Sequence, residues 1–177
     1  MRRELRSLLQ ETPSGRSVLE IVPEEFGLRG IRVLALDFDG VLAPHGGDQP
    51  LPDVEAWLRQ MVAVCGAERV FILSNRPEGP RVAWFHEHLP GVRFISEVRK
   101  KPYCEGLAKT GQLASVPLSA ILMVDDRLLT GCLAAICAGS TPWYVRAPFV
   151  DLRNNFHKEL FFMLLRWGER LFVRVLP

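Results

Sequence analysis

No pair among the four cysteines, Cys65, Cys104, Cys132 and Cys137, has the two-residue spacing of a zinc or thiol-redox motif. Cys65 and Cys132 sit in apolar stretches and read as small packing residues. A reducing compartment is the simplest inference. No apolar run is long enough to span a bilayer. The segment Met1–Gln10 lacks the apolar core of a signal peptide. The expectation is a cytoplasmic chain, peripheral to a membrane at most. Internal repeats and low-complexity segments are absent. Net charge is only +2, so charge alone gives no reason to expect a nucleic-acid partner. Lysine is scarce, and nearly all basic residues are arginine. Guanidinium matches phosphate geometry, but genomic base composition is the preferred explanation of the bias. With 177 residues, 48% hydrophobic and 24% charged, the chain suits one globular domain with a real core.

The most informative segment is Ile31-Arg-Val-Leu-Ala-Leu-Asp-Phe-Asp-Gly-Val-Leu42. Its apolar run reads as a fully buried parallel strand. Burying bare carboxylates is costly, so Asp37 and Asp39 belong at the strand's carboxyl end. Open α/β sheets place their chemistry there. Two close carboxylates suit a Mg²⁺ ion, a covalent nucleophile and a proton donor.

Four further strands are expected, at 69–74, 92–95, 120–125 and 141–145. The last is the weakest, because Pro142 cannot donate to a ladder. Helical patterns lie at 53–64, 80–88, 103–112 and 128–138. This alternation predicts an α/β fold, a three-layer α/β/α doubly wound parallel sheet. Residues 1–30 read as a mixed leader packing on the core. Within it, Thr12–Gly15 is a loop and Val22–Glu25 a short helix with Pro23 in its first turn. Residues 31–150 form the main domain, and residues 151–177 a C-terminal amphipathic helix that Gly168 could interrupt.

Each informative polar group falls at a strand end: Asp37 and Asp39, then Ser74 and Asn75, then Lys100 and Lys101, then Asp125 and Asp126. Their spacing is close to one strand–helix–strand repeat of about 30 residues. Right-handed crossovers would bring all four groups to one edge of the sheet.

Singly, each motif has a plainer reading. DxDG serves equally as a capping turn or a calcium-loop fragment. Ser74-Asn75 is a turn, the lysines a solvated pair, and Asp125-Asp126 a helix cap. Arg76 and Arg81 fit a substrate phosphate and plain surface charge equally well. His45 reads as a solvent-exposed loop residue, and His86, His88 and His157 show no ligand spacing.

Together, the motifs resemble the haloacid dehalogenase (HAD) superfamily. Asp37-Phe-Asp39-Gly-Val-Leu resembles its first motif and Phe71-Ile-Leu-Ser74-Asn75 its second. Lys101-Pro102 resembles the third, and Val124-Asp125-Asp126-Arg127 the fourth. Ser17–Phe26, Arg81 after Ser74-Asn75, and Leu128-Leu-Thr130 extend the likeness to the class IIIA branch of phosphatidylglycerophosphate phosphatases. That branch usually has Gly-Asp in the fourth motif and an aspartate after the threonine. Here Asp125-Asp126 and Gly131 stand instead.

The resemblance implies a Mg²⁺-dependent phosphatase acting on a phosphomonoester. Asp37 would be the nucleophile and Asp39 the acid and base. Ser74, Asn75 and Lys101 would meet the phosphoryl group. Asp37, the main-chain carbonyl of Asp39, and Asp126 would hold Mg²⁺, with Asp125 serving directly or through water. Neither insertion point has room for a large cap domain, so an open site is expected. Such sites take bulky substrates, a phospholipid headgroup among them, or are covered in a homo-oligomer. A soluble phosphomonoester and a catalytically weak interaction module are the alternatives. On the C-terminal helix, Phe156, Leu160, Met163, Leu164, Trp167, Leu171 and Val175 would form the apolar side. Lys158, Glu159, Arg166, Arg170 and Arg174 would form the polar side. Contact with a membrane, and packing of Phe161, Phe162 and Trp167 on the sheet or a partner, are both open readings.

Overall fold

A central strand whose side chains are all buried can be covered only from both faces, and β1 (Val33–Leu36) is such a strand. The computed structural model describes residues 1–24, 26, 30–74 and 79–175. In it, β1 joins β2 (Val70–Ile72), β3 (Arg93–Phe94), β4 (Ile121–Asp125) and β5 (Thr141–Tyr144) in one sheet. The order is β3-β2-β1-β4-β5 and each neighbouring pair is parallel.

The two-residue side-chain period of a strand sorts β1 into two cores. Leu34 and Leu36 pack with Val54, Leu58 and Met61 of α2 (Pro52–Cys65) and Phe85 of α3 (Gly79–His88). Val33 and Ala35 pack with Leu107 of α4 (Glu105–Ala114) and with Ala134 and Ala135 of α5 (Leu133–Ala138). The result is the expected three-layer doubly wound fold. Pro142 fits because β5 is an edge strand that pairs with β4 alone.

Three local expectations change. The leader holds a helix, α1 (Arg2–Glu11), that no sequence expectation covers. The helix foreseen over 128–138 opens as a π-turn at Leu128–Cys132 and becomes α-helical only at Leu133. The C-terminal helix α6 (Phe156–Val175) starts later than expected and runs unbroken through Gly168. The short helix expected at Val22–Glu25 includes Glu25, which lies outside the described residues. Between Gly40 and Pro50 the chain makes only turns and one isolated bridge, and residues 79–100 hold α3 and β3. Neither stretch forms a cap.

A third cluster locks both chain ends onto the domain. Leu5 and Leu9 of α1 pack with Val173 of α6, Tyr144 of β5, and Leu128 and Cys132 of the π-turn.

Candidate active site

The strand order reverses around β1, so the loops leaving β1 and β4 flank the crevice where open α/β sheets bind ligands. Asp37 and Asp39 leave the first of these strands. Asp125 ends the second, and Asp126 follows it. Asp37, Asp125 and Asp126 can bring one carboxylate oxygen each within 4.8 Å of one another. Gly40 lets the two loops approach. It has φ +79°, and a β-carbon there would overlap the Asp126 carboxylate.

A cavity of about 270 Å³ opens at this edge, lined by Asp37, Asp39, Ser74, Lys101 and Asp126. The sequence-predicted residues are therefore brought together. Asn75 and Arg76 lie outside the described residues. Asp125 is fully buried behind the wall. Its Oδ1 accepts hydrogen bonds from the Arg127 N–H (2.8 Å) and the Thr130 hydroxyl (3.1 Å), and its Oδ2 from Lys101 Nζ (2.6 Å). Asp125 thus aims Lys101, whose Nζ also lies 3.0 Å from Asp37 Oδ1.

Protonation follows from this crowding. Burial first, then the charge of Asp125, pushes the Asp37 carboxyl up to about 7 against the pull of Lys101. Burial and the like charges of Asp125 and Asp37 push Asp126 up to about 8, although Arg166 opposes them. Burial works against the charge on Lys101, but Asp125 and Asp37 outweigh it and hold the ammonium above its usual range. A pocket of buried carboxylates that resist ionisation is one a cation would stabilise. An all-carboxylate oxygen donor set suits a hard divalent ion such as Mg²⁺.

A pH prediction follows. Unfolded aspartates titrate near 4. The metal-free native state therefore retains protons, between about pH 4 and 8, that the unfolded chain has lost. The stabilisation from these two groups is fully present below about pH 4 and is lost as pH rises through 7 to 8. Mg²⁺ competes with those protons. It should raise the melting temperature far more at about pH 8 than at about pH 5.5. Equal shifts at both pH values would show that the carboxylates are not the ligands.

The two departures in the fourth motif are coupled by space. A β-carbon on Gly131 would sit on top of the Asp125 carboxylate. One acid at a time fits, so acid and glycine should be exchangeable between positions 125 and 131. Gly131→Asp alone should destabilise the fold by overpacking and like-charge repulsion, by roughly 1–3 kcal/mol. Adding Asp125→Gly should recover most of the loss. Thermal melts of the single and double variants check this, and additive losses would refute the exchange.

Sequence leaves several residues of the site without a role, and leaves Arg81 open between substrate phosphate and surface charge. Arg81 is buried, not a surface charge, and clamps Asp39 through Nη1–Oδ2 (3.1 Å) and Nη2–Oδ1 (2.8 Å). Burial pushes the Asp39 carboxyl up, but Arg81 outweighs it and holds the group below its usual range. His45 is buried too, contrary to the exposed loop position expected. Its N–H donates to Glu159 Oε1 (2.8 Å), and its ring stacks on Phe162 at 3.7 Å. Burial lowers its pKa. Arg166 donates to Asp126 Oδ2 at 2.6 Å, and Arg127 pairs with Glu169. Glu159, Arg166 and Glu169 all come from α6, more than 30 residues beyond the fourth motif. No local pattern marks them. The one available signal was Arg81 following Ser74-Asn75.

Comparison with known proteins now adds to the geometry. The sequence model of the family described as Mitochondrial PGP phosphatase matches residues 17–150, well over half of the chain. The chain belongs to this family. It is a phosphatase of HAD type. No curated protein sequence matches the chain. Among solved structures, an uncharacterized protein from Corynebacterium glutamicum is similar in fold, with 21% identity and a TM-score of 0.50. The alignment covers 78% of this chain and 96% of that one. A HAD-superfamily hydrolase from Ehrlichia chaffeensis aligns at 13% identity and a TM-score of 0.41, over 76% and 97% of the two chains. Among the described residues, no helix is long and apolar enough to cross a membrane.

Proposed function

We propose that this PGP-phosphatase family member hydrolyses a phosphomonoester through an aspartyl-phosphate on Asp37, and that phosphatidylglycerophosphate is its substrate. The observation carrying the chemistry is the meeting of Asp37, Asp39, Ser74, Lys101 and Asp126 on one cavity. Family membership supports the substrate.

An Asp37 oxygen attacks phosphorus as the bond to the leaving alcohol breaks, and Asp39 gives that alcohol its proton. Asp39 then takes a proton from water, which attacks the phosphoryl group and releases inorganic phosphate and free Asp37. Lys101 offsets charge on Asp37 and the transferring oxygens. Ser74 hydrogen-bonds one of those oxygens, with Asn75 beside it in sequence. Asp37, the main-chain carbonyl of Asp39, and Asp126 would hold Mg²⁺, and Asp125 would reach it through water. When bound, the ion supplies positive charge for the phosphoryl oxygens.

The Arg81 clamp keeps Asp39 ionised in the resting site. Protonation of Asp39 therefore waits until substrate phosphate competes for the guanidinium.

The test is phosphate release with Mg²⁺ from phosphatidylglycerophosphate in mixed micelles, beside a soluble aryl phosphate. Turnover of the lipid supports the reading. Turnover of the aryl ester alone would keep the mechanism and remove the lipid. No Mg²⁺-dependent turnover of either would sink the mechanism.

A further inference from the structure

Helix α6 is inside out. Its fully buried positions include Glu159, Arg166 and Glu169, which point at the acidic site and its rim. Its outward face carries the apolar side chains Leu160, Phe161, Leu164, Trp167, Leu171 and Phe172, each at least 40% exposed. Those on the opposite arc of the helix cannot reach the sheet, because the polar arc already occupies that contact. A contiguous apolar face of this size marks a surface that meets something.

Charge narrows the occupant. Both glutamates of α6 are turned inward, so the helix exposes no acidic side chain. Its exposed charges are Lys158 and Arg174, and Arg153 lies just before it. A second copy on a two-fold axis would bring these like charges together. An anionic lipid surface would complement them.

Position narrows it further. An open apolar groove of about 620 Å³ runs along α6 between Phe161, Leu164, Phe172 and Leu129. Arg127 lines both this groove and the catalytic cavity. Lys158 and Phe162 place the start of the same helix on the cavity wall. Apolar surface and phosphate site are thus continuous.

We infer that the outward face of α6 docks the protein on an anionic phospholipid membrane, with the groove beside Arg127 receiving the apolar part of a lipid whose phosphate enters the site. This rests on the phosphatase reading above and deepens it. The buried polar arc holds the helix on the catalytic loops, and the apolar arc sets it against lipid.

The test is co-sedimentation of the full chain with vesicles of phosphatidylcholine alone or mixed with phosphatidylglycerol. The wild type should partition into the anionic vesicles at least about tenfold more strongly, and lose that preference in high salt. Trp167→Glu/Leu171→Glu lies outside groove and cavity. It should lose at least about tenfold in vesicle binding while hydrolysing a soluble aryl phosphate within about twofold of wild type. Equal pelleting with both vesicle types, or unchanged binding by the variant, would overturn the inference. So would a wild-type dimer that the variant splits, with no vesicle binding by either. Vesicle binding without Mg²⁺-dependent turnover would support the docking face and overturn the phosphatase mechanism instead.

Discussion

Asp37→Asn is expected to lower phosphate release by at least about 10⁴-fold, because an amide oxygen does not replace the attacking carboxylate. That corresponds to about 5.5 kcal/mol of lost transition-state stabilisation. The fold should survive. Asparagine keeps the shape of the side chain and removes a charge that burial and Asp125 already disfavour. The melting temperature without metal should therefore hold or rise at about pH 8. Acid-quenched wild-type enzyme should retain label from a phosphate-labelled substrate, and the variant should retain none. Residual activity within tenfold of wild type would assign the nucleophile elsewhere.

The second large effect is structural. Above about pH 8, where Asp126 is ionised, Arg166→Leu should destabilise the protein by about 3–5 kcal/mol, the range for removing one partner of a buried ion pair. Arg166 is almost wholly buried and donates to Asp126 at 2.6 Å, with Glu159 4.0 Å away on the other side. Its second Nη has no hydrogen-bond partner among the described residues, so the guanidinium is held by charge on both sides. At that pH, removing it leaves the buried Asp126 and Glu159 without this counter-charge. Asp126→Asn in the Arg166→Leu background should return a large part of the loss, because the uncompensated carboxylate is then gone. Urea unfolding of the four members of this cycle gives the coupling energy. A single-variant loss under about 1 kcal/mol would mean that α6 is held by its apolar contacts alone. Those contacts are few on the inward side, Val173 chief among them.

These two residues differ in how visible they are along the chain. Asp37 is announced locally by a buried strand that stops at DxDG, and Asp39, Ser74, Lys101 and Asp126 by the same position on successive strands. Strand termini in a parallel sheet converge by topology. A reading of four strand ends is therefore already a reading of one site. Arg81 was harder to place, because the sequence cannot tell an inward turn of α3 from an outward one. His45 lies in a loop, and nothing local in the sequence marks it as buried. Its burial depends on Glu159 and Phe162, which arrive from more than a hundred residues away.

The C-terminal helix draws the line between the two kinds of information. Its amphipathic pattern was legible, including which residues share the apolar arc. The ordinary expectation is that this arc faces inward, because water expels it. The fold reverses that. The surface available to α6 is the rim of a carboxylate-rich crevice, and only charged side chains can compensate Asp126 and cap the loops around it. The likeness to the class IIIA branch was legible too, and so was its departure at positions 125 and 131. That the two positions share one space for an acid is visible only in the structure, where the Asp125 carboxylate fills the space above Gly131. By itself the sequence determined the sheet and the convergence of the strand-end groups, because these follow from local periodicity and from the handedness of parallel crossovers, and it carried the motifs that resemble the family. The tertiary structure alone decided which face of α6 meets water, what clamps Asp39 and what supports Asp126, because those outcomes depend on which distant charges must be buried together.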